Sequence, residues 1–225
     1  MAPSALRGPS DMSQNPRRDR YDVAGNVEAE YADADQTVLR NKLGITSLVE
    51  LQLAEEAALA VAYETLLHEV RSDTPLTCEL LRHVHSRIFG KLYAWAGRWR
   101  TVTISKPGIT WPPPIFVPQA MDDFERNVLQ RVQIGALASD AAFCAAVAEI
   151  RGEFLVVHPF REGNARTIKL CSDLVAAQTG RPPLVYDQTE VGQESYIIAA
   201  SQAFGRNYRP MEKVIHQALA TALRQ

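Results

Sequence analysis

The spacing of apolar positions along the chain predicts one helix after another, with a single interruption. Ser47 followed by Glu50 is a capping-box pattern opening LVELQLAEEAALAVAYETLLHEV, whose Ala and Leu content predicts a long, well-buried helix. A second helix is expected through TCELLRHVHSRIFG, with Leu81, His85 and Ile88 on one face and Gly90 as its stop. The pattern then changes. WAGRWRTVTISKPGITWPPPIFV sets β-branched and aromatic residues in short runs around Lys106-Pro107-Gly108, which predicts a two-stranded hairpin, while Pro112 to Pro114 forbid a regular central strand. Helical spacing resumes in AMDDFERNVLQRV and in DAAFCAAVAEIRGEFLVV, where Phe143, Val147, Ile150 and Phe154 share a face. It continues through Ile168, Cys171 and Val175 until Gly180-Arg181-Pro182-Pro183, then in QESYIIAASQAFG and MEKVIHQALATALRQ. The expected class is all-α, mainly α, with one short β-hairpin set between helices.

Ahead of these stripes the chain has no apolar period. Residues 1–35 are rich in Pro, Ser, Arg, Asp and Gly and are expected to be a flexible arm, with residues 36–225 as the single folded domain. A formal net charge of −2 gives no electrostatic reason to expect nucleic acid as a partner. No stretch has the length of a membrane span or the apolar run of a signal peptide, so the expected location is the cytoplasm, or a host cell reached as a secreted effector. Cys78, Cys144 and Cys171 sit inside helical patterns and read as buried free thiols rather than metal ligands. His83 and His85 form H-x-H, but two residues apart on a helix they point away from each other. Trp95, Trp99 and Trp111 read as core or hairpin packing.

The stretch VVHPFREGNARTIKLC, Val156 to Cys171, lies between two of the expected helices. Gly163-Asn164 is ordinary turn chemistry and Pro159 a helix stop, so a plain connection is one reading. The other is phosphate handling. A helix begins at this turn with free N–H groups that favour an anion, and Arg166 and Lys169 follow within one turn of that end. Glu162 offers a hard oxygen for Mg²⁺, and His158 is a base whose ordinary pKa lies near neutrality.

HPFREGNARTIK resembles the signature of the Fic family, His-x-Phe-x-Asp/Glu-Gly-Asn-Gly-Arg-x-x-Arg. It matches at His158, Phe160, Glu162, Gly163, Asn164 and Arg166, with Ala165 for the second Gly and Lys169 for the last Arg. LRHVHSRIFGKLYAWAGRWRTVTISK resembles the helix leading into that family's hairpin, called the flap, and VLRNKLGI resembles the opening segment of many free-standing members, so the likeness runs from about Val38. The resemblance implies a Fic-type helical bundle and an enzyme that moves AMP from ATP to a Ser, Thr or Tyr hydroxyl of a target protein. Under it His158 is the general base, Glu162 the Mg²⁺ ligand, and Gly163, Asn164, Ala165, Arg166 and Lys169 the nucleotide site. Asn164 would add its side-chain amide, Arg166 a fork on phosphate oxygens, and Lys169 a single ammonium on the terminal phosphate. Tyr196 and Gln193 are implied as adenine contacts, and Thr103, Ile104, Ser105 and Lys106 as the flap on which the target docks by strand addition. A phosphotransferase or another nucleotidyltransferase on the same fold and a silent flap-binding scaffold remain open alternatives. Family members resemble one another in an inhibitory Ser/Thr-x-x-x-Glu-Gly/Asn helix. Here Thr46 to Glu50 is followed by Leu51 and Thr65 to Glu69 by Val70, so either restraint by a separate antitoxin-like protein or activity limited by poor ATP binding is expected.

Overall fold

In the computed structural model, which describes residues 26–106 and 108–225, five of seven α-helices pack around a centre made by the two that flank the signature stretch. The first, α1 (Leu48–Glu69), starts where expected: the Ser47 hydroxyl accepts the Glu50 N–H, and Leu51, Glu55, Ala62 and Leu66 face inward. α2 (Cys78–Phe89) is capped by Thr77 and buries Leu81, Val84, His85, Ile88 and Phe89. A hairpin of β1 (Ser105–Lys106) and β2 (Ile109–Thr110) follows, antiparallel, with Ser105 opposite Thr110 and Lys106 opposite Ile109. Beyond the three prolines come α3 (Val117–Asn127), α4 (Asp140–Val157), α5 (Asn164–Gln178), α6 (Glu190–Gln202) and α7 (Arg209–Ala222).

α4 packs on α7, α5, α6 and α3, while α1 and α2 close over α5 from the other side. Phe143, Val147, Ile150 and Phe154 are all buried, as their spacing predicts, and each such side chain contributes about 1.5–3 kcal/mol through burial. Ser139 and Thr189 cap α4 and α6 through their hydroxyls, so four of the helices begin at a Ser or Thr that satisfies an otherwise free N–H. The helix expected from Ala120 begins at Val117 and leaves α geometry at Val128, continuing as a 3₁₀ turn over Leu129–Arg131. Cys144 and Cys171 are buried, Cys78 is half-buried, and all are free thiols. No described helix is long and apolar enough to cross a membrane.

The expected arm requires a correction where it meets the body. Residues 1–25 lie outside the described residues, but Asn26 to Asp35, expected to belong to the arm, already pack on the body. Tyr31 bridges Leu39, the Ala32 N–H donates to the Val38 carbonyl at 2.7 Å, and Asp33 accepts the N–H groups of Thr37 and Val38. Glu28, only 4% exposed, accepts the Thr101 N–H at 2.7 Å ahead of the hairpin. The segment is ordered by contacts with residues far along the chain, which local composition does not carry.

Candidate active site

α4 ends abruptly because Pro159 has no N–H with which to continue the ladder. His158 therefore caps the helix in the left-handed region, φ 51 and ψ 61, with its N–H on the Phe154 carbonyl at 2.9 Å. Such a conformation costs a non-glycine residue about 1–3 kcal/mol and persists only where its surroundings enforce it. Arg100, 2% exposed, does much of the enforcing. Its Nε donates to the His158 carbonyl at 2.8 Å, while its terminal nitrogens donate to the carbonyls of Val102 and Pro112, one on each stem of the hairpin. One guanidinium thus joins the flap to the histidine. The indole of Trp111 covers the imidazole at 4.1 Å and donates to the Leu155 carbonyl at 3.0 Å.

The His158 Nδ1 lies 3.2 Å from that same Leu155 oxygen. A carbonyl only accepts, so Nδ1 carries the proton and Nε2 keeps its lone pair. Burial pushes the pKa down to about 4, partly opposed by the Leu155 hydrogen bond and the Glu162 carboxylate and reinforced by Lys106 and Arg100. The ring is therefore neutral near pH 7, the state a proton acceptor requires.

The loop from Phe160 to Gly163 is held from below. Phe160 is fully buried and stacked on His85 at 3.8 Å. Asn164 accepts the Phe160 N–H at 2.9 Å and donates to the Phe160 carbonyl at 2.8 Å. The Asn164 amide is thus engaged within the loop through its oxygen and one of its two N–H groups, while the residue also lines the cavity described below. Gly163 has φ 78, and a β-carbon there would fall 2.2 Å from the Phe89 ring, so conformation and close packing both require glycine. Its N–H donates to the Glu162 Oε1 at 2.8 Å. Ala165, the first departure from the signature, lies in the first turn of α5 and is not among the residues with positive φ, so its methyl carries no backbone penalty.

Three adjoining cavities meet at this end of α5. One of about 330 Å³ brings together His158, Glu162, Asn164 and Ala165 with the flap residues Thr103, Ile104, Ser105 and Lys106, and adds Tyr31, Trp111 and Arg161. A second, about 830 Å³, shares Glu162 and holds Arg166 and Glu55. A third, about 580 Å³, shares Ala165 and holds Lys169, Tyr186, Gln193 and Tyr196. Arg166 and Lys169 therefore face different cavities. Arg166 donates to the Glu55 Oε2 at 2.7 Å, lies 3.5 Å from Glu162 and stands over the Phe89 ring at 4.8 Å. The Lys169 ammonium sits 4.9 and 4.7 Å from the ring centres of Tyr186 and Tyr196, which also receive the buried guanidinium of Arg151. Burial and Arg151 lower the Lys169 pKa, Asp173 opposing them.

Several supporting residues escaped the sequence reading. Glu28, Glu55, Arg100 and Arg151 are charged side chains that are almost wholly buried, and nothing in their local spacing marks them. His85 had a signal, the H-x-H pair that places one histidine inside; His83 indeed points outward, toward Glu69 at 3.5 Å.

The sequence profile of the Fic/DOC family matches residues 75–176, the span from just ahead of α2 to the buried part of α5. Among curated proteins, the protein adenylyltransferase VbhT of Bartonella schoenbuchensis is 26% identical over 139 residues, covering 62% of this chain and 29% of VbhT. The probable protein adenylyltransferase y4lH of Sinorhizobium fredii is 22% identical over 182 residues, covering 81% of this chain and 91% of that protein. Among solved structures, BepC of Bartonella tribocorum with bound AMPPNP superposes with a TM-score of 0.68 at 18% identity, over 85% of this chain and 97% of that one. The FIC domain of Bep8 from a Bartonella species gives 0.71 at 18% identity, over 85% and 94%. At these identities the structures speak for the fold alone, and the bundle with its small hairpin is the one they share. With the signature on the loop between α4 and α5, residues 75–176 of this chain match the Fic/DOC family.

Proposed function

We propose that the protein transfers AMP from ATP to a hydroxyl side chain of a target protein. The observation that carries the reading is the His158 ring: Nδ1 is committed to the Leu155 carbonyl, and Nε2 keeps its lone pair in a cavity that the flap shares with the start of α5. The target hydroxyl attacks the α-phosphorus, its proton passes to Nε2, and the bond from phosphorus to the pyrophosphate oxygen breaks. General-base catalysis of this kind supplies on the order of 10²–10⁴-fold. The free N–H groups at the start of α5 and the Gly163 N–H receive phosphate oxygens. Arg166 offers them the edge of its guanidinium that Glu55 does not use.

Glu162 suits a Mg²⁺ that arrives with the nucleotide, because its exposed carboxylate lies between two cavities and, among the described residues, no group of three or more His, Cys, Asp or Glu side chains forms an all-protein cage. Such an ion, when bound, spreads the charge on the phosphates. Tyr196, Gln193 and Lys169, in the cavity reached past Ala165, are assigned to the remainder of the nucleotide. The target lies along the hairpin, whose short strands leave Ser105 and Lys106 exposed. Restraint by a separate antitoxin-like protein belongs to the same reading, since the Glu69 carboxylate is spent on His83 and Arg87 on the surface.

The test is incubation with a cell lysate and ATP labelled at either the α- or the γ-phosphate. Label from the α position on a protein band, absent with His158→Ala, is expected. Label from the γ position would instead mean phosphate transfer, and undiminished labelling by His158→Ala would remove His158 as the base.

A further inference from the structure

His85 is fully buried beneath the signature loop, with both ring nitrogens engaged. The Gly97 N–H donates to Nδ1 at 2.8 Å, so Nδ1 holds the lone pair. Nε2 lies 3.0 Å from the Glu162 carbonyl, which only accepts, so Nε2 holds the proton. The neutral Nε2–H tautomer is thus dictated from both sides, and the ring is clamped against Phe160, 3.8 Å away and inclined by 19°. Burial pushes the His85 pKa down to about 3, which keeps the ring neutral under ordinary conditions.

A trans peptide points its C=O and N–H in opposite directions. Holding the Glu162 carbonyl inward therefore aims the Gly163 N–H outward, toward the exposed Glu162 carboxylate that lines two of the cavities and accepts this N–H at 2.8 Å. We propose that His85 is a positioning residue for nucleotide binding: its Nε2–H fixes the peptide between Glu162 and Gly163 so that the Gly163 N–H faces the phosphate, and the Glu162 carboxylate covers that N–H until a phosphate oxygen replaces it. The inference rests on the phosphate-site reading above. The same ring holds the Gly97 N–H, at the start of the segment leading to Arg100 and the hairpin, so one side chain registers the flap stem against the anion-binding loop.

The experiment compares His85→Gln, His85→Asn and the unaltered protein. A glutamine amide reaches the Nε2 position and can donate to the Glu162 carbonyl, whereas an asparagine amide stops at the Nδ1 position. Dissociation constants for the Mg²⁺ complex of a non-hydrolysable ATP analogue are measured by calorimetry, melting temperatures by scanning calorimetry, and the Gly163 amide by ¹H–¹⁵N NMR. At similar melting temperatures, His85→Asn is expected to bind about 10-fold more weakly, the worth of one strong hydrogen bond, and His85→Gln to recover most of the loss. In the unaltered protein the analogue shifts the Gly163 amide resonance. Equal affinity for both variants, or a Gly163 amide unmoved by an analogue that binds, overturns the inference. If neither variant folds, the shift in the unaltered protein decides alone. An unaltered protein that binds no nucleotide overturns the phosphate-site reading itself, and this inference with it.

Discussion

Replacing Gly163 by alanine tests whether the signature loop depends on its contact with Phe89. Two costs add. At φ 78 alanine enters the left-handed region, which costs an L residue about 1–2 kcal/mol. Its β-carbon would also lie 2.2 and 2.3 Å from two carbons of the Phe89 ring, where ordinary contact begins near 3.4 Å, so ring or loop must retreat by about 1.2 Å. The ring has little room. It is fully buried, with His85 at 4.8 Å, Tyr93 at 6.2 Å and the Arg166 guanidinium 4.8 Å from its centre. Overpacking of this kind costs about 1–3 kcal/mol, for a total of about 2–5 kcal/mol. Gly180→Ala is the control, because Gly180 also has positive φ, 73, but faces open space, and only the backbone cost of about 1–2 kcal/mol applies. Urea denaturation followed by circular dichroism measures both, and Phe89→Leu in the Gly163→Ala background is expected to recover part of the excess. Gly163→Ala no more destabilising than Gly180→Ala would refute the packing argument.

Glu55→Gln removes the charge that holds Arg166 while preserving shape, and is expected to weaken ATP-analogue binding several-fold; tighter binding or a large rise in self-labelling would instead identify Glu55 as a competitor of the phosphates. The pH dependence of transfer is expected to stay flat from about pH 8 down to about 5.5, because the proton acceptor His158 has its pKa pushed down to about 4; a rate that halves near the ordinary histidine value of 6.5 would contradict this. Stability carries the same sign: His85 and His158 bind protons less readily folded than unfolded, so below about pH 6.5 the unfolded chain binds more protons, and the urea midpoint is expected to fall as pH drops from there toward 4.

Much of the fold was legible because helices announce themselves locally. Ser47 with Glu50 marks the start of α1, and the spacing of Phe143, Val147, Ile150 and Phe154 marks the buried face of α4. The hairpin was legible from Lys106-Pro107-Gly108 and its β-branched flanks, although only two residues on each side pair as strand. The ordering of Asn26 to Asp35 was not. Its anchors are the Thr101 N–H on the Glu28 carboxylate and the Arg161 Nε on the Glu28 carbonyl at 2.8 Å, contacts that span 73 and 133 residues. A composition argument weighs a segment's own apolar content and misses a buried glutamate whose partners are elsewhere.

Within the site, the split between what was and was not legible follows the same physics. The signature names residues gathered in one short span between two helices, and His158, Glu162 and the flap residues do share a cavity. It does not name what aims them. Glu55 sits in AEEAALA beside Glu56, and by spacing alone the two are interchangeable polar positions on an Ala-rich helix. Their surroundings separate them: Glu56 is exposed, whereas Glu55 is 7% exposed, with one oxygen on the Tyr93 hydroxyl at 2.6 Å and the other on Arg166. Tyr93 is in turn stacked on Trp95 at 4.4 Å, so the carboxylate is held from the core and cannot easily follow a moving guanidinium. Glu50 and Glu69, picked out by their spacing from Thr46 and Thr65, lie one turn before Glu55 and several turns after it. The glutamate of α1 that reaches a signature arginine is set by which face of the helix packs on α5, and that face is chosen by Leu51, Ala62 and Leu66.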